Sequence, residues 1–337
     1  MRLFLEPERL APGTAAVLGA FDGLHRGHQA LLRRALERCP RVAMVTFEPH
    51  PAEVLAPERA PARLQSPGQR ARVAEALGID TLVLLTFDHA VASTSPEDFV
   101  TRYLLEGLAP EAVVVGADFR YGSDRAGDTE SLAAQLAAAG VELIVVEQVN
   151  DADGQKLGSS EIRAAVRAGD VDKAAEILGY LYPVTGRVRH GAARGRQLGF
   201  RTANIESDCL VPARGVYAGW MSVHGGGGGG PWPAVANVGH NPTFADGAAT
   251  TTGVEVHAID LDLGESLYER EVEFSFACRL RDELTFDGAD ALIAAIEDDI
   301  ARGRGALAEP RRAADRCRPA SLRGIHYPPP RTDGAPS

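Results

Sequence analysis

Val17–Gln29 reads VLGAFDGLHRGHQ. Apolar residues lead into Gly19, Gly23 and Gly27, and the apolar-periodic run HQALLRRALER follows. The pattern predicts a strand, a glycine-rich loop and a helix, with two histidines at the helix entrance. A helix N-terminus offers unpaired backbone N–H groups and a partial positive charge, which suits a phosphate. His25 and His28 are three residues apart and are placed to face one anion. An isolated HxxH reads more readily as surface histidines or half of a metal site. Here the preceding strand and the flanking glycines favour the anion.

The same alternation continues to about residue 180. Strands are predicted at 15–21, 41–47, 81–87, 112–119 and 141–149, and helices near 28–38, 68–78, 96–107 and 129–139. Continuous apolar strands separated by helices imply a parallel sheet covered on both faces. Ser95-Pro96-Glu97-Asp98 is a helix start, with a capping serine, proline in the first turn and an acid three residues on. In such sheets ligands bind beyond the carboxyl ends of the strands. FDGLHRGH, FEPHP and GADFRYGSDRAG all fall there. In the last, Asp118 and Asp124 suit a ribose or a metal, and Arg120 and Arg125 suit phosphates. A solvated charged turn explains them equally well. GSSEIRAAVRAGD opens another helix, with Ser159 or Ser160 as N-cap and Arg163 one turn inside. Such caps are usually structural, yet hydroxyls, free N–H groups and an arginine at one entrance also cradle a triphosphate.

Composition narrows the class. A chain of 337 residues suggests two domains. With 45% hydrophobic and 24% charged residues it reads as a soluble globular protein. A formal charge of -11 argues against nucleic-acid partners. The four cysteines are scattered without a CxxC, so no disulfide framework or zinc site is expected. No signal peptide or membrane span is apparent, and a cytoplasmic location is expected. Self-association is left open.

After Tyr182-Pro183 the helical periodicity stops until about residue 287. Short strands are expected at 184–191, 215–223, 232–239, 251–261 and 268–280, as in an antiparallel barrel or sandwich. Six glycines at 225–230 read as a flexible hairpin connection, because they lack the Lys or Ser/Thr partner of a phosphate loop. A closing helix is predicted at 287–304, and the Pro/Gly-rich end reads as disordered. HGAARGRQLGFRTANI has the make-up of a mobile loop over phosphates. Thr202 and Asn204, two apart, share a face in an extended segment, and their oxygens suit Mg²⁺; as turn residues they also need no ligand. In VEVHAI, Val254, Val256 and Ala258 share one face and Glu255 and His257 the other. Glu255 suits a base for a substrate hydroxyl, and a salt bridge or solvent exposure explains it as well.

These motifs carry a family resemblance. GAFDGLHRGH resembles the G-x-F-D-G-x-H-x-G-H signature of the nucleotidylyltransferase superfamily, and GSSEIR its S-S-T-x-I-R element, with Gly158 for the first serine and Ser160 for the threonine. FEPHP, VVGADFRYG, AGDVDKAAEILGY, GRVRHGAARGRQLGFRTANI, ANVGHNPTF and VEVHAIDLD resemble bacterial bifunctional riboflavin kinase/FAD synthetase over nearly residues 15–305. The resemblance implies a Rossmann-like FMN adenylyltransferase domain at 1–182, a β-barrel riboflavin kinase domain at 183–305 and a tail at 306–337. It implies His25, His28, Ser160, Arg163 and Glu255 as catalytic residues. ATP contacts would come from Gly19, Phe21, Gly27, His28, Ser159, Ser160 and Arg163 in the first half, and from Gly191, Gly195, Thr202 and Asn204 in the second. Flavin contacts would come from Asp118, Phe119, Arg120, Asn237 and Glu255, with Thr202 and Asn204 holding Mg²⁺. Riboflavin, FMN, FAD and ATP are the implied substrates and products. The rival readings are an adenylyltransferase with an impaired kinase half, a flavin- or nucleotide-sensing regulator, and an adenylyl- or cytidylyltransferase acting on another substrate, which leaves 183–305 unexplained.

Arg201 departs from the family, which has proline there. Proline would fix φ just before the metal ligands, whereas arginine removes that restraint and adds a charge. Kinase turnover is expected to persist with altered nucleotide affinity. ATP-dependent FMN formation before and after Arg201→Pro measures this, and no detectable FMN from either protein contradicts it.

Overall fold

The computed structural model describes residues 1–150, 154, 156–189, 200–225, 228–240, 252–261 and 267–308. The chain forms two compact units, Met1–Ala62 with Pro67–Ser159, and Arg63–Ser66 with Ser160–Ser337.

The first unit is built on six strands: β1 (Arg2–Phe4), β2 (Thr14–Leu18), β3 (Arg41–Glu48), β4 (Thr81–Thr86), β5 (Ala112–Gly116) and β6 (Glu142–Val146). They pair in parallel in the order β1-β4-β3-β2-β5-β6. Alternate residues serve opposite faces. Ala15, Val17, Val42, Met44, Leu82 and Val114 enter one core cluster. Ala16, Leu18, Ala43, Val45, Val83 and Val113 enter the other. Both faces are therefore buried, which is why these strands read as unbroken apolar runs. Five of the six strands follow the expectation; β1, three residues at the edge, is too short to show a period.

Helices cover both faces: α1 (Arg26–Arg38), α2 (Pro51–Leu55), α3 (Pro67–Ala76), α4 (His89–Ala92), α5 (Pro96–Phe99) and α6 (Thr129–Ala138). Ser95 caps α5 as expected, its side chain accepting from Asp98 N–H at 3.0 Å. The single helix expected over 96–107 continues beyond α5 as a π-helical segment, Val100–Leu108. There Ala109 N–H donates to the Leu104 carbonyl at 2.6 Å. Apolar spacing locates such a helix but does not fix its hydrogen-bond register. From β2 the sheet grows one way through β3 and β4, and the other way through β5. The carboxyl ends of β2 and β5 thus border a topological switch point, where open α/β sheets bind ligands.

Helix α7 (Ser159–Ala168) starts at the last residue of the first unit and continues into the second. The second unit adds α8 (Val171–Leu178) and strands β7 (Tyr182–Arg189), β8 (Ala203–Glu206), β9 (Gly215–Val223), β10 (Gly229–His240), β11 (Thr252–Ala258) and β12 (Glu271–Arg281). They close an antiparallel barrel in the order β10-β11-β8-β7-β12-β9. Of the glycine run, Gly225 and Gly228 lie between the antiparallel β9 and β10. Gly228 N–H donates to the Gly225 carbonyl at 2.9 Å, and Gly229 and Gly230 already belong to β10; Gly226 and Gly227 lie outside the described residues. The closing helix, α9 (Ala289–Ala308), packs tightly on the barrel. A Cβ on Gly303 would lie 2.6 Å from Val235 Cγ1, so only glycine permits this approach.

Arg281 of β12 grips Asp299 of α9 through two bonds, 2.9 and 2.7 Å long, and Asp299 is 4% exposed. Removing one partner of such a pair strands the other charge, at a cost of about 3 kcal/mol. Asp299→Ala should lower the urea midpoint of the second unit, and Asp299→Asn, which keeps one acceptor, should lower it less. Equal midpoints in all three proteins contradict the assignment.

Candidate active site

Between β2 and α1 the chain runs through an uncommon backbone. Phe21 (φ 47), Gly23 (φ 86) and Leu24 (φ 23) all have positive φ. For non-glycine residues this conformation costs on the order of 1–3 kcal/mol each and persists only where the surroundings fix it. Here Thr46 Oγ1 donates to the Ala20 carbonyl at 3.0 Å and Gln29 Nε2 to the Leu24 carbonyl at 2.9 Å. Ser159 Oγ donates to the Asp22 carbonyl at 2.7 Å. Phe21 is fully buried.

This loop delivers His25 to the N-cap of α1, where its Nδ1 accepts from His28 N–H at 3.4 Å. With Nδ1 accepting, the ring proton of a neutral His25 sits on Nε2. The two imidazoles stack, with centroids 3.7 Å apart, and the Phe21 ring meets His28 edge-on at 5.1 Å. Gly27 packs closely against this ring, since a Cβ there would lie 3.0 Å from His25 Cε1. Burial, followed by the charge of Lys156, lowers the His25 pKa to about 4. Burial also holds His28 well below its ordinary value, followed by His25, Arg70 and Lys156. Both rings are therefore neutral at physiological pH, and each carries one N–H to donate. His28 Nδ1 is buried without a hydrogen-bond partner among the described residues.

At the end of β5, Asp118 accepts from Lys156 Nζ at 2.6 Å, and this bond leads the causes that lower its carboxyl pKa. Arg120 pairs with Asp128 at 3.2 Å. Phe119 stacks on Tyr121, with centroids 5.7 Å apart. The structure thus brings His25, His28, Gly27 and Ser159 together in the first unit and places Asp118, Phe119 and Arg120 at the neighbouring strand end. Sequence reasoning missed Lys156, three residues before Ser159. It also missed the buried Arg70, 3.6 Å from Glu48 of FEPHP. A lysine immediately upstream of LGSSEIR was the available signal for the first; nothing in the local pattern marked Arg70. Ser160 and Arg163 fall in the second unit, the former exposed and the latter buried.

In the barrel, strand register aligns three of the singled-out residues. Asn204 on β8 pairs with Glu255 on β11, and Glu255 with Asn237 on β10. Val254, Val256 and Ala258 are buried while Glu255 and His257 are part-exposed, the two-faced pattern expected of this strand. Directly opposed residues hold their Cβ atoms roughly 4.5–5.5 Å apart, so the three side chains are neighbours. Thr202 lies two residues before Asn204, just ahead of β8. The Thr202 hydroxyl and the Asn204 amide oxygen are both oxygen donors, which fits Mg²⁺. His257 Nδ1–H donates to the Arg201 carbonyl at 2.8 Å, and Phe200 meets the His257 ring edge-on. This tether restrains the chain just before Thr202, where the proline is absent. Glu283 escaped the sequence reading; its Oε1 would lie 2.8 Å from a Cβ on Gly239, and Asn237 Nδ2 3.2 Å from the same point. Gly191 and Gly195 lie outside the described residues. Among the described residues no three His, Cys, Asp or Glu side chains gather as a metal cluster, and no helix is long and apolar enough to cross a membrane.

Comparison with known proteins gives a consistent picture. Residues 8–161 match the FAD synthetase family model and residues 178–307 the riboflavin kinase model. The bifunctional riboflavin kinase/FMN adenylyltransferase of Pseudomonas fluorescens is 40% identical over 91% of this chain and 96% of its own. The proteins of the same name from Bacillus subtilis (strain 168) and Escherichia coli (strain K12) are 35% and 34% identical, over 84% and 85% of this chain and 89% and 90% of their own. A crystal structure described as a macrolide-efflux protein from Streptococcus pneumoniae superposes with a TM-score of 0.75 at 29% identity, over 90% of this chain and 98% of that one.

The neutral state of the histidine pair is measurable. The folded His25 pKa is about 4 against 6.5 for the free side chain, so the unfolded chain binds more protons in between. The contribution of His25 to stability is complete above about pH 6.5 and drains away as pH falls toward 4. In the ligand-free protein its ring resonances should titrate near pH 4, and a midpoint near 6.5 contradicts the assignment.

Proposed function

The chain belongs to the bifunctional riboflavin kinase/FMN adenylyltransferase family, and from that premise we propose how its residues divide the two reactions. The protein phosphorylates riboflavin to FMN and adenylylates FMN to FAD. We assign adenylyl transfer to residues 1–182 and phosphorylation to 183–305.

The stacked, neutral His25–His28 pair at the entrance of α1 carries the reading of the first site. In adenylyl transfer an oxygen of the FMN phosphate attacks the α-phosphorus of ATP. A new P–O bond forms, the bond to the β-phosphate oxygen breaks, and pyrophosphate leaves with the electron pair. The nucleophile is already anionic, so neither a strong base nor a covalent enzyme intermediate is needed. What the site must supply is preorganised donors where charge builds, each worth on the order of 3 kcal/mol. His25 Nε2–H and the His28 ring N–H fill that role, assisted by the free N–H groups at the start of α1. Gly19, Phe21, Gly27 and Ser159 shape the cradle, and the family resemblance assigns Ser160 and Arg163 to the β- and γ-phosphates. Asp118, Phe119 and Arg120 face the flavin nucleotide.

In the kinase half the aligned Asn204, Glu255 and Asn237 support the assignment. Glu255 accepts the proton of the ribityl 5′-hydroxyl as that oxygen bonds to the γ-phosphorus and ADP departs. Asn237 orients the flavin beside it. Thr202 and Asn204 would hold Mg²⁺, which when bound neutralises phosphate charge. Gly191 and Gly195 would complete the ATP contacts.

Supplying riboflavin, ATP and Mg²⁺ and separating the products by chromatography tests both assignments. His28→Ala should cut FAD formation from FMN by roughly 100- to 1000-fold while FMN still forms from riboflavin. Glu255→Gln should do the reverse, stopping FMN formation while supplied FMN is still converted. Loss of both products in either variant contradicts the division of labour, and binding of flavin without any turnover in the parent protein overturns the enzymatic reading.

A further inference from the structure

Strands β8 and β11 pair antiparallel as Ile205 with Val254, Asn204 with Glu255 and Ala203 with Val256. The next position on β11 is His257, and the residue that this register sets opposite it is Thr202, just ahead of β8. Where the main-chain pairing stops, a side chain takes over. His257 Nδ1–H donates to the Arg201 carbonyl at 2.8 Å, and the Phe200 ring meets the imidazole edge-on, with centroids 5.9 Å apart. A carbonyl only accepts, so this bond needs the ring proton on Nδ1. His257 shares one face of β11 with Glu255, while Val254, Val256 and Ala258 are buried on the other.

We propose that His257 is a positioning residue for riboflavin phosphorylation: through the Arg201 carbonyl it fixes where Thr202 presents its hydroxyl to nucleotide-bound Mg²⁺. The proposal rests on the kinase reading above, with Thr202 as an Mg²⁺ donor. Mg²⁺ demands near-octahedral oxygens at about 2.1 Å, so a donor that drifts with its backbone serves it poorly. Arginine at 201 leaves φ free where a proline would fix it. The imidazole supplies a restraint at that same peptide, one residue before the donor. β11 also carries Glu255, in the row with Asn204 and Asn237. One strand therefore sets the base directly and the metal donor through His257, which holds the attacking hydroxyl and the phosphate to a common frame. In this role His257 exchanges no proton and needs only a donor at the Nδ1 position.

The test uses the full chain in four forms: the parent, His257→Phe, His257→Gln and His257→Asn. Phe keeps a ring without a donor, Gln brings its amide N–H near the position of Nε2, and Asn brings it near that of Nδ1. In FMN formation from riboflavin, the Phe and Gln variants should raise KM for Mg²⁺-ATP about tenfold, the worth of one hydrogen bond, with kcat and KM for riboflavin within about twofold of the parent. Asn should return KM for Mg²⁺-ATP to within about threefold of the parent. Without nucleotide or metal, backbone hydrogen exchange over residues 200–203 should be faster in the Phe and Gln variants than in the parent and Asn. FAD formation from supplied FMN should keep the parent's rate in every form. Unchanged KM for Mg²⁺-ATP or unchanged exchange in both Phe and Gln overturns the proposal. So does an equal rise of KM in Asn and Phe, or a fall in kcat at unchanged KM. A parallel loss of FAD formation marks a general folding defect and overturns the positioning role as well. A parent protein that makes no FMN from riboflavin overturns the kinase reading itself, while exchange over 200–203 still reports the tether.

Discussion

Two imidazoles taken out of water at the start of a helix set the terms for the first unit. Burial makes their charged forms costly, so they stay neutral and act through N–H bonds. That burial depends on a loop whose backbone is itself unfavourable, with Phe21 and Leu24 at positive φ. The loop is held by side chains from three other places: Thr46 at the end of β3, Gln29 inside α1 and Ser159 at the start of α7. The parallel sheet, whose central strands are buried on both faces, supplies the rigidity that such a loop needs, and its order reverses between β2 and β5.

The consequence is a division between donors and charges. In the proposed adenylyl transfer, neutral histidines would stabilise the transition state through N–H bonds without adding net charge. Beside the histidine loop, Lys156 is tied to Asp118 at the end of β5. The barrel solves a different problem. In the proposed phosphorylation the nucleophile is a hydroxyl that must lose a proton, and a carboxylate, Glu255, stands in register with two amide side chains on neighbouring strands.

Much of this was legible in the sequence because the relevant signals are local. Gly19, Gly23 and Gly27 around His25 and His28 announced a strand–loop–helix, and the unbroken apolar strands announced a sheet covered on both sides. The alternation around Glu255 gave its face correctly. What the sequence hid was long-range or conformational. The row of Asn204, Glu255 and Asn237 depends on register between strands far apart in the chain. Lys156 and Asp118, 38 residues apart, meet only in the fold. β1 and β8, three and four residues long, carry too few positions to show a period. The substitution of arginine for proline at 201 looked like a loss of stiffness, and only the structure reveals the His257 bond that restrains the same carbonyl.

One chain that performs both reactions transfers phosphorus twice to the same flavin. Incubating the protein with riboflavin and ATP labelled distinguishably at the α- and γ-phosphorus measures this. FAD should carry one γ-derived phosphorus on the riboflavin side and one α-derived phosphorus on the adenosine side, with γ label also in pyrophosphate. FAD lacking the γ-derived phosphorus, or no labelled flavin at all, would contradict it.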